Sequence, residues 1–159
     1  MPESGETVRT FVAVLLSEAA AREAERLLDR LRPLARCRWV TRAQLHITLR
    51  FLGELSPAAV ERVRSAVAAV AVQPFDIELH RAGAFPDLAR PRTLWLGGDR
   101  GASELTALAG RVNDALFGVG IPRNDRPFSP HLTLARSDGS PLPPALTWQI
   151  GRASCRERV

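Results

Sequence analysis

A four-residue pattern that occurs twice constrains the fold of this chain more than any other feature of its sequence. One copy begins at His46 (HITL) and the other at His131 (HLTL). Both lie in segments that predict β-strands, and residues i and i+2 of a strand point to the same face. His46 is therefore beside Thr48, and His131 is beside Thr133. Two such strands facing each other would arrange two imidazoles and two hydroxyls around one small anion.

The hydrophobic pattern predicts a single α+β domain over residues 1–149. A chain of 159 residues can form a substantial core. Its segments alternate as strand, helix, strand, helix, strand, strand, helix and strand. This order predicts two similar halves, about 1–72 and 73–149, each an antiparallel sheet with helices on its outer face. Further expectations are a buried strand over residues 8–16, a cap on the third helix at Ser103 and a loop over residues 137–149.

Side-chain alternation divides the first His-containing strand, about residues 45–53, into two faces. The face expected to pack on the helices contains Ile47, Leu49 and Phe51. The polar face contains His46, Thr48 and Arg50. Simple alternation therefore favours Arg50 as the arginine that contacts a bound anion.

The chain is basic, but its charge does not by itself identify a partner. The formal net charge is +5, and arginine supplies all of the basic residues because the sequence contains no lysine. A GC-rich genome would produce this bias, and so would a partner rich in phosphate, since guanidinium groups bind phosphate in a bidentate way. Both explanations stay open. Cys37 and Cys155 provide neither a disulfide framework nor the spacing of a metal site.

No segment predicts a targeting signal or a membrane span. The longest apolar runs, residues 11–16 and 66–72, are too short to cross a bilayer, and residues 1–6 lack the features of a signal peptide. A cytoplasmic protein is therefore expected. Residues 150–159 continue no periodic pattern, and they match the in-frame translation of a common sequencing adapter. We expect them to be a non-native tail and the natural C-terminal strand segment to be missing.

The paired pattern indicates general acid–base catalysis on a phosphodiester. Imidazole titrates near neutral pH, so one histidine can accept a proton from water while the other donates a proton to the leaving oxygen. The threonine hydroxyls can donate hydrogen bonds to the phosphate oxygens as charge develops there. A cyclic phosphate requires this division of roles. No convincing carboxylate cluster accompanies the histidines, so neither a metal nor another cofactor is predicted.

The chain resembles the 2H phosphoesterases, which are named for two His-x-Thr-x motifs. More narrowly, it is similar to the bacterial and archaeal RNA 2′,3′-cyclic phosphodiesterases, historically called 2′-5′ RNA ligases. The matching segments are residues 11–14, 38–40, 44–54, 83–86, 90–96 and 126–136. The resemblance implies a bilobal fold with two pseudo-symmetric antiparallel sheets around a central groove. It also implies hydrolysis of a terminal 2′,3′-cyclic phosphate of RNA to a 2′-phosphomonoester, with reversible 2′-5′ RNA ligation as a side activity.

The same resemblance implies roles for five residues. His46 would be the proton donor and His131 the proton acceptor, an order that the near-symmetric motifs alone do not decide. Thr48, Thr133 and Arg136 would hold the phosphate. Arg136 would face away from the histidine in a straight strand, and a bulge or a strand end would remove this conflict. The expected partner is RNA with a 2′,3′-cyclic phosphate end, tRNA-like fragments included, and the expected state is a monomer.

Two other functions fit the same residues. A small cyclic nucleotide or a nucleotide-sugar cyclic phosphate could replace the RNA end as substrate, or the chain could be a non-catalytic module that binds RNA ends. The intact His–Thr pairs argue against the module, since binding alone needs arginine more than imidazole. Four aromatic residues could stack on a nucleobase: Trp39, Phe85, Trp95 and Phe128. Core packing is the expectation for Trp39 and Trp95, whereas Phe128 lies next to the second motif and could contact a base. His80 is expected to be an exposed strand histidine.

Overall fold

The structure is a computed structural model that describes residues 5–150 and 155–159. The α-helices in this part of the chain are α1 (Glu18–Leu31), α2 (Pro57–Ala68), α3 (Ala102–Phe117) and α4 (Pro144–Ile150). The strands are β1 (Val8–Leu15), β2 (Arg38–Trp39), β3 (His46–Leu55), β4 (Asp76–Leu79), β5 (Arg81–Phe85), β6 (Thr93–Gly97), β7 (Leu132–Arg136) and β8 (Cys155–Arg158). Single 3-10 turns precede β2 and β3.

The strands of the described residues form three antiparallel sheets. β1 pairs with β3, β4 pairs with β8, and a four-stranded sheet has the order β2-β7-β6-β5. The predicted α+β class with antiparallel sheets is therefore confirmed. The boundary at residue 72 is not strict, because β2 from the first half joins the sheet of the second half. β3 and β7 belong to different sheets, yet their Cα atoms approach within 8 Å.

The helices begin where capping residues satisfy free backbone N–H groups. The Ser17 hydroxyl accepts a hydrogen bond from the Ala20 N–H at 3.2 Å at the start of α1. Ser56 caps α2 in the same way, and a proline follows at the first helical position. The prediction for α3 is wrong, because Gly101, with a φ of +83°, occupies its N-cap and Ser103 lies inside the helix.

Alternate residues of both His-containing strands pack into one hydrophobic core. Its completely buried members include Leu28, Leu31, Ile47, Leu96, Leu105, Leu116, Leu132 and Leu134. Ile47 and Leu132 directly follow the two histidines, and Leu134 directly follows the second threonine. Burying each such side chain contributes about 1.5–3 kcal/mol. The core therefore keeps the histidine and threonine of each motif on the opposite side of the strand.

Two segments differ from their predicted environment. β1 is not a buried strand, since only Val12 within it is buried and Leu15 is 76% exposed. Because β3 is its only partner among the described residues, β1 is an edge strand with one face toward solvent. Residues 144–150 form a helix instead of a loop, because Pro144 suits the first helical turn and Leu146 is buried in the core.

The segment predicted to be a non-native tail contains β8. Cys155 and Glu157 of this strand are buried, whereas Arg156 and Arg158 are exposed. The Glu157 carboxylate accepts a hydrogen bond from the Ser17 N–H. The structure thus places a strand beside β4 where the sequence analysis expected none, because this alternation suits a half-buried strand. The non-native origin of the segment stays a prediction.

Candidate active site

The polar sides of β3 and β7 border a groove of about 720 Å³, which we call the central groove. Its lining residues are Phe11, Arg38, Trp39, Val40, Ala43, Gln44, His46, Thr48, Thr133 and Arg136. Four of the five predicted site residues therefore lie in one lining. The fifth, His131, precedes Thr133 by two residues, which places both side chains on the same side of an extended chain.

His46 begins β3, and its ring is partly buried in the wall of the central groove. The ring stacks on Phe11 of β1, with 4.7 Å between the centroids and 27° between the planes. Burial lowers the pKa of His46 because it disfavours the charged imidazolium, and a hydrogen bond to the backbone of Gln44 partly opposes this shift. The neutral imidazole therefore predominates at pH 7 before an anion binds.

His131 lies immediately before β7, in contact with two aromatic rings. Phe85 meets its ring edge-on, with centroids 5.1 Å apart, and the Trp95 centroid lies at 6.3 Å. The Nδ1 atom of His131 is 2.7 Å from the Ser129 carbonyl oxygen. A carbonyl oxygen only accepts, so the proton of the neutral ring resides on Nδ1. Nε2 is then an acceptor that is able to take a proton from a ligand.

Thr48 and Thr133 both line the central groove two residues after their histidines. Across the ladders, Thr48 is opposite Ala13 and Thr133 is opposite Trp95. Neither hydroxyl forms a hydrogen bond with another residue of the described segments. Both hydroxyls are therefore available to donate to a ligand in the groove.

A bulge in β7 accounts for the position of Arg136. The ladder between β6 and β7 shifts its register between Leu94 and Trp95, which leaves one extra residue on β7. The extra residue reverses the side-chain alternation beyond it. Arg136 consequently lines the central groove together with Thr133, although it lies five residues after the histidine. Its Nη1 atom donates a hydrogen bond to the Thr93 hydroxyl at 2.7 Å.

A register shift in β3 has the opposite effect on Arg50. The ladder between β1 and β3 leaves two extra residues on β3, Leu49 and Leu52, and the first of them precedes Arg50. Beyond this point Phe51, expected on the buried face, is 51% exposed. The Arg50 guanidinium donates to Asn113 Oδ1 of α3 and to the Pro122 carbonyl oxygen, both at 2.6 Å. The preference for Arg50 as an anion contact is therefore wrong, because this side chain joins β3 to α3.

Two aromatic residues line the central groove beside the predicted site residues. Trp39, expected in the core with base stacking as the alternative, packs against the core and also lines the groove, and its Nε1 donates to the Ala35 carbonyl oxygen at 3.2 Å. Phe11 lies on the exposed side of β1, and its place in the matching segment 11–14 was the only sequence signal for it. Phe128 packs against the core and does not line the groove. His80 is exposed, as predicted, between two strands.

The central groove is basic. Its described lining contains Arg38 and Arg136 and no carboxylate, so an anion enters a favourable potential. Among residues 5–150 and 155–159, no group of three or more His, Cys, Asp or Glu side chains is arranged to hold a metal ion. Within the same ranges, no helix has the length and apolar character needed to span a membrane.

A family model described as the 2′-5′ RNA ligase superfamily matches residues 17–157. The chain belongs to this superfamily. The matched segment contains β3, β7 and every lining residue of the central groove except Phe11. The resemblance that the two motifs indicated is therefore confirmed.

Relatives in the 2′-5′ RNA ligase superfamily match most of the chain. Proteins named RNA 2′,3′-cyclic phosphodiesterase from Aquifex aeolicus and Archaeoglobus fulgidus are each 36% identical to it. Each match covers 81% of this chain, with 70% of the first relative and 72% of the second. A crystal structure from Thermus thermophilus has a TM-score of 0.76 at 27% identity, over 96% of this chain and 84% of its own. The structure of E. coli LigT complexed with 3′-AMP has a TM-score of 0.70 at 30% identity, over 85% of this chain and 75% of its own.

Proposed function

We propose that this chain hydrolyses the terminal 2′,3′-cyclic phosphate of RNA to a 2′-phosphomonoester, with His46 as general acid and His131 as general base. One observation carries the proposal: a single basic groove has both motif threonines, His46 and Arg136 in its lining, and His131 is two residues from Thr133. Imidazoles and hydroxyl donors around an anion site are the groups that this reaction needs. The name of the relatives, RNA 2′,3′-cyclic phosphodiesterase, supports the same reaction.

The phosphate binds between the two motif strands. The hydroxyls of Thr48 and Thr133 donate hydrogen bonds to its non-bridging oxygens. The Arg136 guanidinium, oriented by its bond to Thr93, supplies a positive charge. A solved structure of E. coli LigT is complexed with 3′-AMP, and a groove of about 720 Å³ has room for a nucleotide of that size.

The two histidines divide the proton transfers. His131 Nε2 accepts a proton from water as the water oxygen attacks phosphorus. The bond between phosphorus and O3′ breaks, and His46 donates a proton to O3′. The hydroxyl from water stays on phosphorus, so the products are a 2′-phosphomonoester and a free 3′-hydroxyl. Each positioned proton transfer contributes about 10²–10⁴-fold to the rate.

Because burial lowers the pKa of His46, the donor role requires that the imidazole gains its proton when substrate binds. Burial disfavours the imidazolium before an anion binds. A phosphate beside the ring is an opposite charge, and an opposite charge raises the pKa of a histidine. His46 therefore acquires its proton together with the substrate, and phosphate affinity decreases as the pH rises above that pKa.

An oligoribonucleotide with a 2′,3′-cyclic end, incubated with the protein in a chelator, tests the reaction. We expect a 2′-phosphate product, identified by chromatography against 2′- and 3′-phosphate standards. His46→Ala and His131→Ala should each lose turnover, whereas Arg62→Gln, an exposed charge on α2, is the control. A 3′-phosphate product contradicts the proposal. RNA binding without turnover would favour the binding module, and turnover only of small cyclic nucleotides would favour the other substrate class.

We propose further that the chain acts as a cytoplasmic monomer and that 2′-5′ RNA ligation is its reverse reaction. Sedimentation of the purified chain should give a mass near 17.4 kDa, and a dimer would contradict the first part. Incubating RNA 2′,3′-cyclic and 5′-hydroxyl ends at high concentration should yield a small amount of 2′-5′ linked product.

We also propose that residues 1–149 form one bilobal domain and that residues 150–159 are a non-native tail. The match of these residues to the in-frame translation of a common sequencing adapter supports the second statement. Sequencing the 3′ end of the gene tests the proposal. Different codons after Gln149 are expected, and the same ten codons in genomic DNA would contradict it.

A further inference from the structure

Two arginines face each other across the β2–β7 ladder beside the central groove. Arg38 of β2 is directly opposite Arg136 of β7. In the described part of the chain, neither guanidinium forms an ion pair with a carboxylate, and Arg136 bonds to the neutral Thr93 hydroxyl. Like charges directly opposite in an antiparallel ladder repel each other. An anion bound beside both guanidinium groups would remove this repulsion.

The same two arginines line a second cavity, which we call the side pocket. Its volume is about 470 Å³, and its lining residues are Arg36, Cys37, Arg38, Arg136, Ser137 and Asp138. The central groove and the side pocket therefore adjoin at Arg38 and Arg136. Arg36 is exposed and, like Arg38, has no ion-pair partner among residues 5–150 and 155–159. Three arginines and one carboxylate give the side pocket a positive net charge.

The other titratable groups of the side pocket do not neutralise its positive charge. The Asp138 carboxylate accepts a hydrogen bond from the Ser140 N–H at 2.8 Å and forms no ion pair with the pocket arginines. Burial raises the pKa of Cys37, so its thiol stays neutral at pH 7. The guanidinium groups of the side pocket are therefore available for an external anion.

The position of the side pocket suits a second phosphate and not the reacting one. The reacting diester carries a single negative charge, which Arg136 and the two threonine hydroxyls meet in the proposed function. Arg36 lines the side pocket and not the central groove, so the side pocket extends beyond the groups that meet the reacting phosphate. RNA carries a phosphodiester at every nucleotide, so a strand that leaves the central groove along this basic path presents its next phosphate to Arg38 and Arg36.

We propose that Arg38 and Arg36 bind the phosphodiester preceding the terminal nucleotide, and that this contact makes an RNA end a better substrate than a mononucleotide 2′,3′-cyclic phosphate. The inference rests on the proposed function and specifies how its substrate class is selected. Arg38 is then a specificity-determining residue that acts on substrate binding and has no part in the proton transfers.

Steady-state kinetics of Arg38→Gln on two substrates test the inference. The substrates are 2′,3′-cyclic AMP and an adenosine trinucleotide with a 2′,3′-cyclic end, and Arg62→Gln is the charge-matched control. For the trinucleotide, Arg38→Gln should raise KM about tenfold, the size expected for one charged hydrogen bond. For cyclic AMP, Arg38→Gln should also raise KM, because Arg38 contributes to the potential of the central groove. That rise should be less than about threefold, because cyclic AMP lacks the second phosphate. The salt dependence of log kcat/KM for the trinucleotide should become shallower by about 0.7, one single-strand phosphate contact.

Four results would overturn the inference. An equal loss on both substrates would place Arg38 on the reacting phosphate. No loss on either substrate, or a lower melting temperature with no change in the KM ratio, would leave Arg38 with only a structural role. Equal kcat/KM of the wild type for the two substrates would show that the protein does not prefer an RNA end to a mononucleotide.

The proposed function can fail independently of this inference. If the wild type hydrolyses neither substrate, calorimetry with 3′-AMP and with the trinucleotide 3′-phosphate replaces the kinetics. Tighter binding of the trinucleotide, lost in Arg38→Gln and retained in Arg62→Gln, would still support the second phosphate site. Equal binding of the two ligands would reject it.

Discussion

The two motif strands carry the same pattern in different surroundings. His46 opens a ten-residue strand that pairs with the edge strand β1, and its ring stacks on Phe11. His131 precedes a five-residue strand inside the four-stranded sheet, and its ring meets the edge of Phe85. In both motifs the histidine bonds to the backbone two residues earlier. Chemically identical groups are thus held alike by the backbone but packed against different aromatic rings.

The bulges of the two strands also have different consequences. In β3, the extra residue at Leu49 turns Arg50 toward Asn113 and away from the central groove. In β7, the extra residue brings Arg136 into the groove beside Thr133. A near-symmetric sequence therefore produces an asymmetric site, in which the arginine of only one strand faces the anion.

The largest expected effect is the loss of either histidine. His46→Ala and His131→Ala should each lower kcat about 10³-fold, because each removes one positioned proton transfer. A phosphodiester with a nitrophenyl leaving group separates the roles, since nitrophenolate leaves without protonation. On that substrate His46→Ala should recover most of its activity and His131→Ala should not. Recovery of the His131 variant alone would reverse the assignment of acid and base.

The second effect concerns the hydroxyl donors. Thr48→Val and Thr133→Val keep the strand and its β-branched shape but remove the hydrogen bond to the phosphate. Each should lower kcat about 10²-fold, as expected for one lost donor to a developing charge. Thr10→Val, at an exposed part of β1 where the hydroxyl bonds to the Val8 carbonyl oxygen, is the control. A loss confined to one of the two threonines would show that the phosphate lies against only one motif strand.

A third effect tests the aromatic support of His131. Gly83 is opposite Trp95 in the ladder, and a Cβ at position 83 would overlap the indole ring. Gly83→Ala should destabilise the protein by about 1–3 kcal/mol, measured by denaturant unfolding, and should also reduce kcat through displacement of His131. Gly110→Ala on α3, where a Cβ meets no atom within 4 Å, should instead stabilise by about 0.5–1 kcal/mol. Unchanged stability of Gly83→Ala would contradict this packing.

The smallest expected effect is a change in the pKa of His46. Phe11→Leu removes the stacked ring, so water reaches His46 and its pKa should rise toward the ordinary value of about 6.5, followed by NMR titration. Phe85→Leu should leave the pKa of His46 as it is. In the wild type the pKa of His46 is lower in the folded state than in the unfolded state. The contribution of neutral His46 to the free energy of unfolding is therefore complete above about pH 6.5 and is lost as the pH falls through the folded pKa. A pKa of His46 that does not move in Phe11→Leu would assign the desolvation to other residues.

Local pattern predicted most of the elements and missed those that depend on distant contacts. Ser17 and Ser56 cap α1 and α2, because capping needs only neighbouring residues. The predicted order has two strands between the second and third helices where the structure has three, because the pairing of β5 with β6 is a tertiary contact. Phe51 and Arg50 were misplaced because a bulge cannot be read from alternation. The family and the antiparallel α+β class were predicted correctly from the motifs. The roles of the five site residues remain predictions.

The sequence alone determined the two motifs, the class of the fold and the family, because each depends on residue identity and on spacing within one strand or helix. Tertiary structure decided that Arg136 and not Arg50 faces the central groove, and that Phe11 and Trp39 belong to its wall. It also decided that Arg38 lies opposite Arg136. Register and bulges are set by how strands pair across the whole chain, and a one-residue shift moves every later side chain to the other face.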